Sequence, residues 1–399
     1  MAILAVNAGS STLKFSLHPL DGTQVLPSVL TGNIQGLEPG GQPDMGWTFA
    51  GQAQRQRLEA SGADPFHDAL LSLGALLTRL PGVPAIEAVA HRVVHGGAHY
   101  RESVVVDDAV LATLATLNSL APLHQPHNLD GIRAFRKAFP QLPQVACFDT
   151  AFHATLPEVD YAFALPQALA AQGVRRYGFH GLSYRYIMDT LLEVSHRARG
   201  RVLMAHLGNG ASLCATVDGK SVGTSMGFSA LDGLMMGSRS GSIDPGVLMH
   251  LMRQGWSEKQ ISDLLYKQSG LLGVSGESAD MRALHHSSSP SAQFAIALFC
   301  HRVQKEIAAL TALTKGLDVI AFTGGIGEHD HEVRARVCEG LQYMGIHVDP
   351  RLNELAKGTD TVAIHTPHSY AEIWVVPTDE GRIAAEAACQ VLAESSMEA

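Results

Sequence analysis

The first turn of the chain concentrates groups that bind anions. The segment NAGSSTLK places amide and hydroxyl side chains at Asn7, Ser10, Ser11 and Thr12, and Lys14 follows two residues later. Backbone N–H groups in a tight glycine turn form a concave anion site, to which hydroxyls and a lysine add donors and charge. The segment is suited to phosphate. An ordinary polar hairpin with a solvated lysine is the alternative.

Two later turns have related chemistry. The segments are HLGNGAS (206–212) and FTGGIGEHD (322–330), and the second follows an apolar run and is expected to open a helix. Amide donors at a helix N-terminus favour phosphate. None of the three turns is a Walker A or G-x-G-x-x-G motif. Together they predict a nucleotide site outside the P-loop and Rossmann classes.

Length and charge limit the classes of function. The chain has 399 residues, 46% of them apolar, which favours two domains with separate cores. Its 29 basic and 38 acidic residues give a net charge of −9, with no basic block. This balance argues against nucleic acid or an anionic membrane as a partner. Five scattered cysteines, no N-terminal signal pattern and no long apolar run predict a cytoplasmic protein.

The predicted elements that must position these groups alternate between strands and helices. Such alternation indicates an α/β fold with covered sheets. The predicted strands are 3–6, 85–90, 144–148, 202–207, 319–322 and 373–376. The predicted helices are 66–80, 109–120, 246–253, 292–313 and 382–392, whereas residues 36–62 are expected to form loops or edge structure.

One pattern occurs twice. Residues 3–22 and 202–222 each read as an apolar strand, a glycine-containing polar turn, a second apolar strand and an Asp-Gly turn. Asp-Gly between strand-like runs is a strong hairpin signal. Two similar hairpins can arise by chance. The functional interpretation is a duplicated domain in which each copy directs its first hairpin into a shared cleft.

The histidines suggest an alternative metal site. His91, His95 and His99 are spaced as on one face of a helix. However, Gly96, Gly97 and the neighbouring valines disfavour a helix there, so the spacing does not bring three imidazoles together. A structural zinc site is the less favoured interpretation.

Nine motifs, taken in order along the chain, resemble those of the acetate kinase family. They are NAGSSTLKFSL, HRVVHGG, APLHQPHN, FDTAFH, YGFHGLSY, HLGNGAS, TSMGFSALDGLMMGSRSGSIDPG, FTGGIGEHD and PTDE, and they extend from Asn7 to Glu380. The resemblance implies α/β architecture with two actin-like (ribonuclease H-like) lobes and a nucleotide cleft between them. It implies an N-terminal lobe of residues 1–149 completed by the helix 381–399, a second lobe of residues 150–380, and a homodimer.

The implied reaction is transfer of the γ-phosphoryl group of ATP to acetate, which gives acetyl phosphate and ADP reversibly. Because acceptor and triphosphate are both anions, the site requires arginines. The resemblance assigns Arg92 and Arg239 to the acceptor and the transferring group, and His180 to the transition state. It makes Asp149 catalytic. Since a carboxylic acid is already ionised at pH 7, an orienting role for Asp149 is favoured over that of a general base.

The resemblance also implies ligand contacts. Asn7 and Glu380 approach Mg²⁺, for which Mn²⁺ can substitute. The acid lies against Arg92, Val94, Leu123, Phe179 and Ala230. The positions matching the ATP-binding motifs are Lys14, His206, Leu207, Gly208, Asn209, Gly210, Asp280, Met281, Arg282, Gly325, Ile326, Gly327, Glu328 and His329.

The chain departs from the family pattern at several positions. Family members commonly have asparagine at 329, aspartate at 223 and 242, histidine at 184, glutamate at 381 and proline at 230. Here these are His329, Gly223, Ser242, Tyr184, Gly381 and Ala230. A propionate or butyrate kinase of the same family is the main alternative. A non-metabolic actin-fold ATPase, indifferent to acetate, is the alternative from another class.

Overall fold

A computed structural model describes residues 1–9, 11–38, 41–58, 65–122 and 124–398, with side chains to residue 394. The chain divides into two compact units. Unit 1 comprises Met1–Ala151 and Asp379–Ala399, and unit 2 comprises Phe152–Thr378.

Among the described residues, strands and helices alternate along the chain. The strands are β1 Ala2–Ala8, β2 Thr12–Asp21, β3 Gln24–Val25, β4 Leu30–Gln35, β5 Asp44–Phe49, β6 Gln52–Arg57, β7 Ile86–Val93, β8 Val104–Val105, β9 Gln144–Phe148, β10 Arg201–Leu207, β11 Ala211–Val217, β12 Lys220–Thr224, β13 Val319–Thr323, β14 Val362–Ala363 and β15 Glu372–Val375. The helices are α1 Pro65–Arg79, α2 Asp108–Ala115, α3 Gln125–Ala138, α4 Glu158–Tyr161, α5 Gln167–Ala170, α6 Gly181–Val194, α7 Pro245–Arg253, α8 Glu258–Lys267, α9 Gly270–Ser275, α10 Met281–His286, α11 Pro290–Thr314, α12 Gly324–His329, α13 His331–Glu339, α14 Pro350–Leu355 and α15 Glu380–Glu398.

Unit 1 is built on one mixed sheet. Its strand order in the described residues is β6-β5-β4-β2-β1-β7-β9-β8, with β3 paired to the far end of β2. β1 pairs antiparallel with β2 and parallel with β7, which in turn is parallel to β9. Ile3, Leu4 and Ala5 are all buried, as expected for a strand covered on both faces. The carboxyl ends of β1, β7 and β9 therefore lie at one edge of the sheet.

Unit 2 repeats this central arrangement. Its described strands have the order β12-β11-β10-β13-β15-β14. β10 pairs antiparallel with β11 and parallel with β13, and β13 is parallel to β15. The path β11-β10-β13-β15 thus matches β2-β1-β7-β9 in unit 1. The second Asp-Gly turn has the conformation expected of it: Asp218 and Gly219, between β11 and β12, have φ of 51° and 73°, the left-handed pair of a two-residue hairpin turn. At the first, Asp21 is the last residue of β2 and pairs with Gln24, and Gly22 in the turn has φ of 60°.

Each strand predicted from the sequence is present, with boundaries that differ by at most three residues, and 144–148 matches β9 at both ends. Residues 36–62 contain β5 and the edge strand β6, although 39–40 and 59–62 lie outside the described residues. The predicted helix 109–120 is wrong at its C-terminal end, because α2 stops at Ala115. Thr113 and Thr116 each donate a side-chain hydrogen bond to a backbone carbonyl three or four residues earlier, in competition with the helix.

None of the helices in the described residues is long and apolar enough to cross a membrane.

Candidate active site

In unit 1 the central pair of the site is an arginine and an aspartate from neighbouring strands. Arg92 lies near the end of β7, and Asp149 directly follows β9. The Arg92 guanidinium donates two hydrogen bonds to the Asp149 carboxylate, Nε to Oδ1 at 3.0 Å and Nη2 to Oδ2 at 2.7 Å. This bidentate geometry holds the guanidinium plane in one orientation. The pairing follows from the parallel register, since Arg92 lies beside Cys147.

A second carboxylate adds to the charge at Arg92. Glu380, the first residue of α15, has Oε2 3.5 Å from Arg92 Nε. Burial by itself lowers the pKa of Arg92, but the charges of Asp149 and Glu380 outweigh it and raise that pKa above its usual value. The Arg92 side chain nevertheless keeps 22% of its surface exposed. It is therefore a cation held in one orientation whose side chain is still partly accessible.

Arg92 and Glu380 also line a pocket of about 140 Å³ in unit 1. Asn7 and Lys14 stand side by side in it, because they are partners in the β1–β2 register. The lining residues are Ala5, Val6, Asn7, Lys14, Phe15, Ser16, Arg92, Glu380, Gly381 and Ala384. Ser10 of the first turn lies outside the described residues. The pocket thus combines two cations with an amide and a carboxylate.

The oxygen donors of this pocket fit a hard divalent cation. Asn7 supplies an amide oxygen and Glu380 a carboxylate, the donor types that Mg²⁺ prefers alongside water and phosphate oxygens. The described residues contain no group of three or more His, Cys, Asp and Glu side chains placed to hold a metal by themselves. His91 lies inside β7, where it faces Gln144 rather than other imidazoles.

Two side chains near the start of α3 brace this edge of the sheet. Asn128 accepts a hydrogen bond from the backbone N–H of Val94 and donates one to the carbonyl of Ala8. Gln125 bonds both backbone groups of His95. Asn128 therefore ties the end of β1 to the segment after Arg92. Sequence reasoning missed both roles, although both residues stand in the APLHQPHN motif.

In unit 2 the first group is a pair of stacked imidazoles. The rings of His180 and His206 have centroids 4.2 Å apart and planes inclined by 20°. Ser212 Oγ lies 2.8 Å from His180 Nδ1, and Ser183 Oγ lies 2.9 Å from His206 Nδ1. His180 precedes α6 with φ of 59°, a backbone conformation that non-glycine residues rarely adopt. Its ring position is thus specified by several independent contacts.

A buried histidine supports that conformation. His153 lies 2.9 Å from the carbonyl of Phe179 through Nε2 and 2.9 Å from Ser221 Oγ through Nδ1. Burial lowers the pKa of His153 to about 4, so the ring is neutral and donates to the carbonyl. It fixes the residue immediately before His180.

Arg239 lies in the irregular segment between β12 and α7. Its Nη1 donates to the carbonyl of Ala230 at 3.0 Å, and its backbone carbonyl accepts from Met236. A Cβ atom placed on Gly210 would lie 3.4 Å from His180 Nε2 and 4.0 Å from Arg239 Nη1. The HLGNG turn, His180 and Arg239 therefore converge, and glycine leaves the space among them open.

The turns predicted to bind ATP lie side by side in unit 2. β10 ends at Leu207 and β13 ends at Thr323, and α12 begins directly after β13 as predicted. A Cβ on Gly324 would lie only 2.7 Å from the carbonyl of Leu207, so the two turns approach closely because glycine is there. Gly208, Asn209 and Gly210 form the first turn, and Gly325, Ile326 and Gly327 lie in the second.

Other predicted ATP contacts have internal partners in the structure. Asp280 and Arg282 form an exposed ion pair at 2.6 Å, and Met281 between them is buried. Glu328 Oε1 accepts hydrogen bonds from Gly324 N and Thr378 N, at 2.9 and 3.1 Å. The Glu328 carboxylate therefore holds the glycine turn in shape.

His329, the last residue of that turn, and Arg334 in α13 have contrasting surroundings. His329 is 58% exposed, and its Nδ1 lies 2.7 Å from the carbonyl of Lys357. Arg334, fully buried, directs all five of its N–H groups to oxygen atoms, two of them the carbonyls of Gly327 and Glu328. This clamp on the glycine turn was not foreseen from the sequence.

The residues predicted to contact the acid are each assigned to one unit or the other. Arg92 and Val94 belong to unit 1, and Phe179 and Ala230 belong to unit 2. Val94 is 7% and Phe179 is 1% exposed. Leu123 lies outside the described residues.

Local packing explains three departures from the family pattern. A Cβ on Gly381 would lie 2.3 Å from Ser16 Oγ, and one on Gly223 would lie 2.4 Å from Leu313 Cδ2. Neighbouring side chains occupy the space that larger residues would need. Ser242 accepts from Gly233 N and donates to Asp232, so it fastens the segment that carries Arg239.

A mixed sheet that begins with an antiparallel hairpin and continues with parallel strands occurs once in each unit. This repeated topology defines an α/β protein of the actin-like ATPase and kinase fold. The comparisons with known proteins are more specific. A model of the acetokinase family matches residues 2–386. The chain belongs to the acetokinase family.

Curated relatives cover nearly the whole chain. An acetate kinase from Rhodopseudomonas palustris is 47% identical over 383 residues, 95% of each chain. An acetate kinase from Bacillus cytotoxicus is 40% identical over 391 residues, 95% of this chain and 96% of the relative. The family expected from the motifs is thereby confirmed.

Solved structures agree in fold. A propionate kinase from Francisella tularensis superposes with a TM-score of 0.89 at 36% identity, covering 97% of this chain and 98% of its own. An acetate kinase from Porphyromonas gingivalis gives a TM-score of 0.87 at 35% identity, covering 98% and 99%. The actin-like α/β fold expected from the sequence is confirmed.

Proposed function

We propose that this chain is an ATP:acetate phosphotransferase that forms acetyl phosphate and ADP reversibly. The observation that carries the proposal is the Arg92 cation, held by Asp149 beside Asn7, Lys14 and Glu380 in a chain of the acetokinase family. A protein that only hydrolyses ATP has no need of a preorganised arginine for an anionic acceptor.

Arg92 would neutralise the acceptor carboxylate. The carboxylate oxygen attacks the γ-phosphorus, and the new O–P bond forms as the bond to the bridging oxygen of ADP breaks. No proton has to move, because the acceptor is already ionised at pH 7. Positioning and charge stabilisation are therefore the main requirements, and fixed cations meet them.

Asp149 would act on Arg92 rather than on the substrate proton. Both of its oxygens accept from the guanidinium, which orients the cation toward the pocket. A carboxylate engaged in this way is a poor general base, and the reaction does not need one. Asp149 is thus proposed as an orienting residue.

In unit 2, His180 and Arg239 would stabilise the charge that develops on the transferring phosphoryl group. The arrangement around Gly210 supports this role, because it directs both side chains toward the same open space. The turns 206–210 and 325–329 would contact the nucleotide, with Lys14 contributing charge from unit 1. Asp280, Met281 and Arg282 stay proposed contacts of lower priority, since their side chains are paired or buried.

Asn7 and Glu380 would hold Mg²⁺, which supplies charge neutralisation and orientation of the phosphates when bound. Their oxygen donors suit Mn²⁺ as well. Lys14, adjacent to Asn7 in the register, would keep the phosphate end of the nucleotide near these donors.

Propionate is the second candidate acceptor. The similarity to a propionate kinase from Francisella tularensis favours it, and Ala230 in place of the proline common in the family reduces bulk at the acid's methyl group. One methylene in an apolar pocket changes binding by about 1–3 kcal/mol. We therefore expect acetate first, propionate as a measurable second and butyrate as a poor substrate.

An acyl-hydroxamate assay tests this function directly. Purified protein is given Mg-ATP with formate, acetate, propionate or butyrate, and a no-acid reaction measures background hydrolysis. The proposal requires acetate-dependent ADP release with equal hydroxamate yield. ATP hydrolysis at the same rate with and without acid would contradict it, and kcat/KM for propionate equal to or above that for acetate would assign the second candidate.

We also propose a homodimer in the cytoplasm. Helix α7 has no buried residue although it carries apolar side chains, and Val247, Met249 and Met252 are 45%, 55% and 59% exposed. Such a face is suited to a second copy of the chain. Sedimentation of the wild type and of Met252→Glu measures this: a dimer that the variant weakens is expected, and an unchanged monomer would contradict it.

A further inference from the structure

A row of three hydrogen-bonding side chains ends at His180. Ser212 Oγ lies 2.8 Å from His180 Nδ1, and the Tyr184 hydroxyl lies within hydrogen-bond distance of the same oxygen. Tyr184 and Ser212 are each fully buried. Tyr184 follows His180 by one helical turn in α6, and Ser212 lies in β11 opposite His206. The row is therefore built on rigid elements.

The protons of this row can be assigned by accounting for donors. A phenol has one O–H to donate, and among the described residues the hydrogen-bond partner of Tyr184 Oη is Ser212 Oγ. If Tyr184 donates to Ser212, the serine hydrogen is left for His180 Nδ1. That nitrogen must then be an unprotonated acceptor, so the neutral ring carries its hydrogen on Nε2.

The opposite assignment leaves a buried group unsatisfied. If His180 carried its hydrogen on Nδ1 and donated to Ser212, either the serine hydrogen or the tyrosine hydrogen would lose its acceptor. A buried donor without an acceptor costs free energy that the first arrangement avoids. Burial also raises the pKa of Tyr184 well above its usual value, so the phenol keeps its proton and stays a donor.

We propose that Tyr184 is a positioning residue that, through Ser212, fixes His180 as the tautomer with its hydrogen on Nε2. Nε2 is the ring atom that faces the Gly210 turn, 3.4 Å from where a Cβ there would lie. His180 thus presents a hydrogen-bond donor toward the turn while its ring is neutral. The inference rests on the proposed function only for its effect on catalysis, since the tautomer itself is a property of unit 2.

The packing of Tyr184 supports the same role. Its ring contacts Phe152 and His153, with centroids 6.2 and 5.6 Å away. His153 in turn holds the carbonyl of Phe179, the residue before His180. Tyr184 therefore packs against His153, which holds the backbone before His180, and it also bonds to Ser212, which orients the His180 ring.

The test is Tyr184→Phe, which keeps the ring and removes the hydroxyl. Histidine ¹⁵N spectra of the full-length protein, assigned with His180→Gln, are expected to show His180 protonated at Nε2 in the wild type and a mixture of tautomers in the variant. We expect kcat to fall about 10-fold, the effect of losing one orienting hydrogen bond, while KM for ATP and acetate stays within about twofold.

Two further variants make the result specific. Ser212→Ala breaks the same row and should reproduce both effects. Tyr177→Phe removes another buried tyrosine hydroxyl, one that donates to the carbonyl of Gly173, and should change neither. A wild-type ring protonated at Nδ1, or Tyr184→Phe with unchanged ¹⁵N pattern and kcat, would overturn the inference. Full activity in His180→Ala would instead contradict the proposed role of His180 in catalysis and leave the tautomer assignment standing, whereas the hydroxamate assay tests the proposed function separately.

Discussion

The hairpins β1–β2 and β10–β11 occupy equivalent places in the two sheets and differ in chemistry. Each first strand has seven residues, pairs antiparallel with the next strand and parallel with a strand from later in its unit. Near its end, β1 carries Asn7 opposite Lys14, whereas β10 carries His206 opposite Ser212. One backbone arrangement thus presents an amide and a cation in unit 1, and imidazole and hydroxyl in unit 2.

The surroundings of the hairpins differ in the same sense. Unit 1 adds Arg92 from β7 and Glu380 from α15 to its pocket, and Asp149, which follows β9, holds Arg92. Unit 2 adds glycine turns and a second histidine, with Arg239 as its cation. The topology therefore specifies where groups meet, and the residues at the strand ends specify what they do. Under the proposed function, unit 1 would supply the metal donors and Arg92 for the acceptor, and unit 2 would supply most of the contacts to the phosphates and nucleotide.

The largest expected effect on catalysis comes from removing Arg92 in unit 1 or Arg239 in unit 2. Arg92→Ala and Arg239→Ala should each lower kcat/KM by about 10²–10³-fold, because each removes a preorganised charge at the transition state. Steady-state kinetics with acetate measures both. Arg185→Ala, which removes an exposed arginine paired with Asp189, is the control and should leave kcat/KM unchanged. Wild-type turnover in both site variants would contradict the proposed roles of Arg92 and Arg239 at the transition state.

The second effect concerns stability in acid. Burial lowers the pKa of His91 and His95 in unit 1, and of His153 in unit 2, to about 4. Below about pH 6.5 these histidines bind protons in the unfolded chain but not in the folded protein. The free energy of unfolding therefore decreases as the pH falls from about 6.5 toward about 4, and these groups leave it constant above about pH 6.5. Each ring contributes about 3 kcal/mol to the loss.

Urea denaturation across that pH window measures the loss, and hydrogen exchange assigns it to a unit. His91→Gln should flatten the slope in unit 1, and His153→Gln should do so in unit 2. Replacing the exposed His196 by Gln should not. A wild-type unfolding free energy that is flat between about pH 6.5 and about pH 4 contradicts the prediction.

The third effect concerns the Mg²⁺ requirement, which we expect to depend on Glu380 in unit 1. Glu380→Ala should raise the Mg²⁺ concentration for half-maximal rate by about 10-fold or more, since even outer-shell partners of a metal contribute that much. Glu386→Ala is the matched control, because Glu386 lies on the same helix but pairs with Arg382. An Mg²⁺ titration identical in wild type and Glu380→Ala would remove Glu380 from the metal site.

The smallest effect is on acceptor size. Val94→Ala should reduce the preference for acetate over propionate by up to about 10-fold, and Ala230→Pro should increase it. Each substitution changes the space beside the acid's alkyl group, and the binding free energy of one methylene group sets the size of the effect. The ratio of kcat/KM values is the measurement. Val93→Ala, a change in the adjacent core residue, should lower stability with the ratio unchanged. An unaltered ratio in both site variants would contradict the assignment of Val94 and Ala230 to the acceptor pocket.

Much of the fold was predictable because local pattern specified it. The largely apolar run 144–148 is short enough to favour a covered strand over a helix, and a turn follows β2 and β11 at each Asp-Gly pair. Helix ends were less predictable. The end of α2 depends on threonine hydroxyls that compete for backbone carbonyls, a choice that periodicity does not encode.

The sequence by itself determined the residue types of the site, because Asn7, Arg92, Asp149 and Glu380 each stand in a recognisable motif. Only the tertiary structure decided which of them touch. Arg92 and Asp149 meet because β7 and β9 are parallel neighbours, and Glu380 joins them because α15 returns to unit 1. Distances between residues far apart in the chain depend on packing, which no local pattern contains. The row Tyr184–Ser212–His180 is of the same kind: a helix and a strand bring it together, and the burial of its hydroxyls sets its protons.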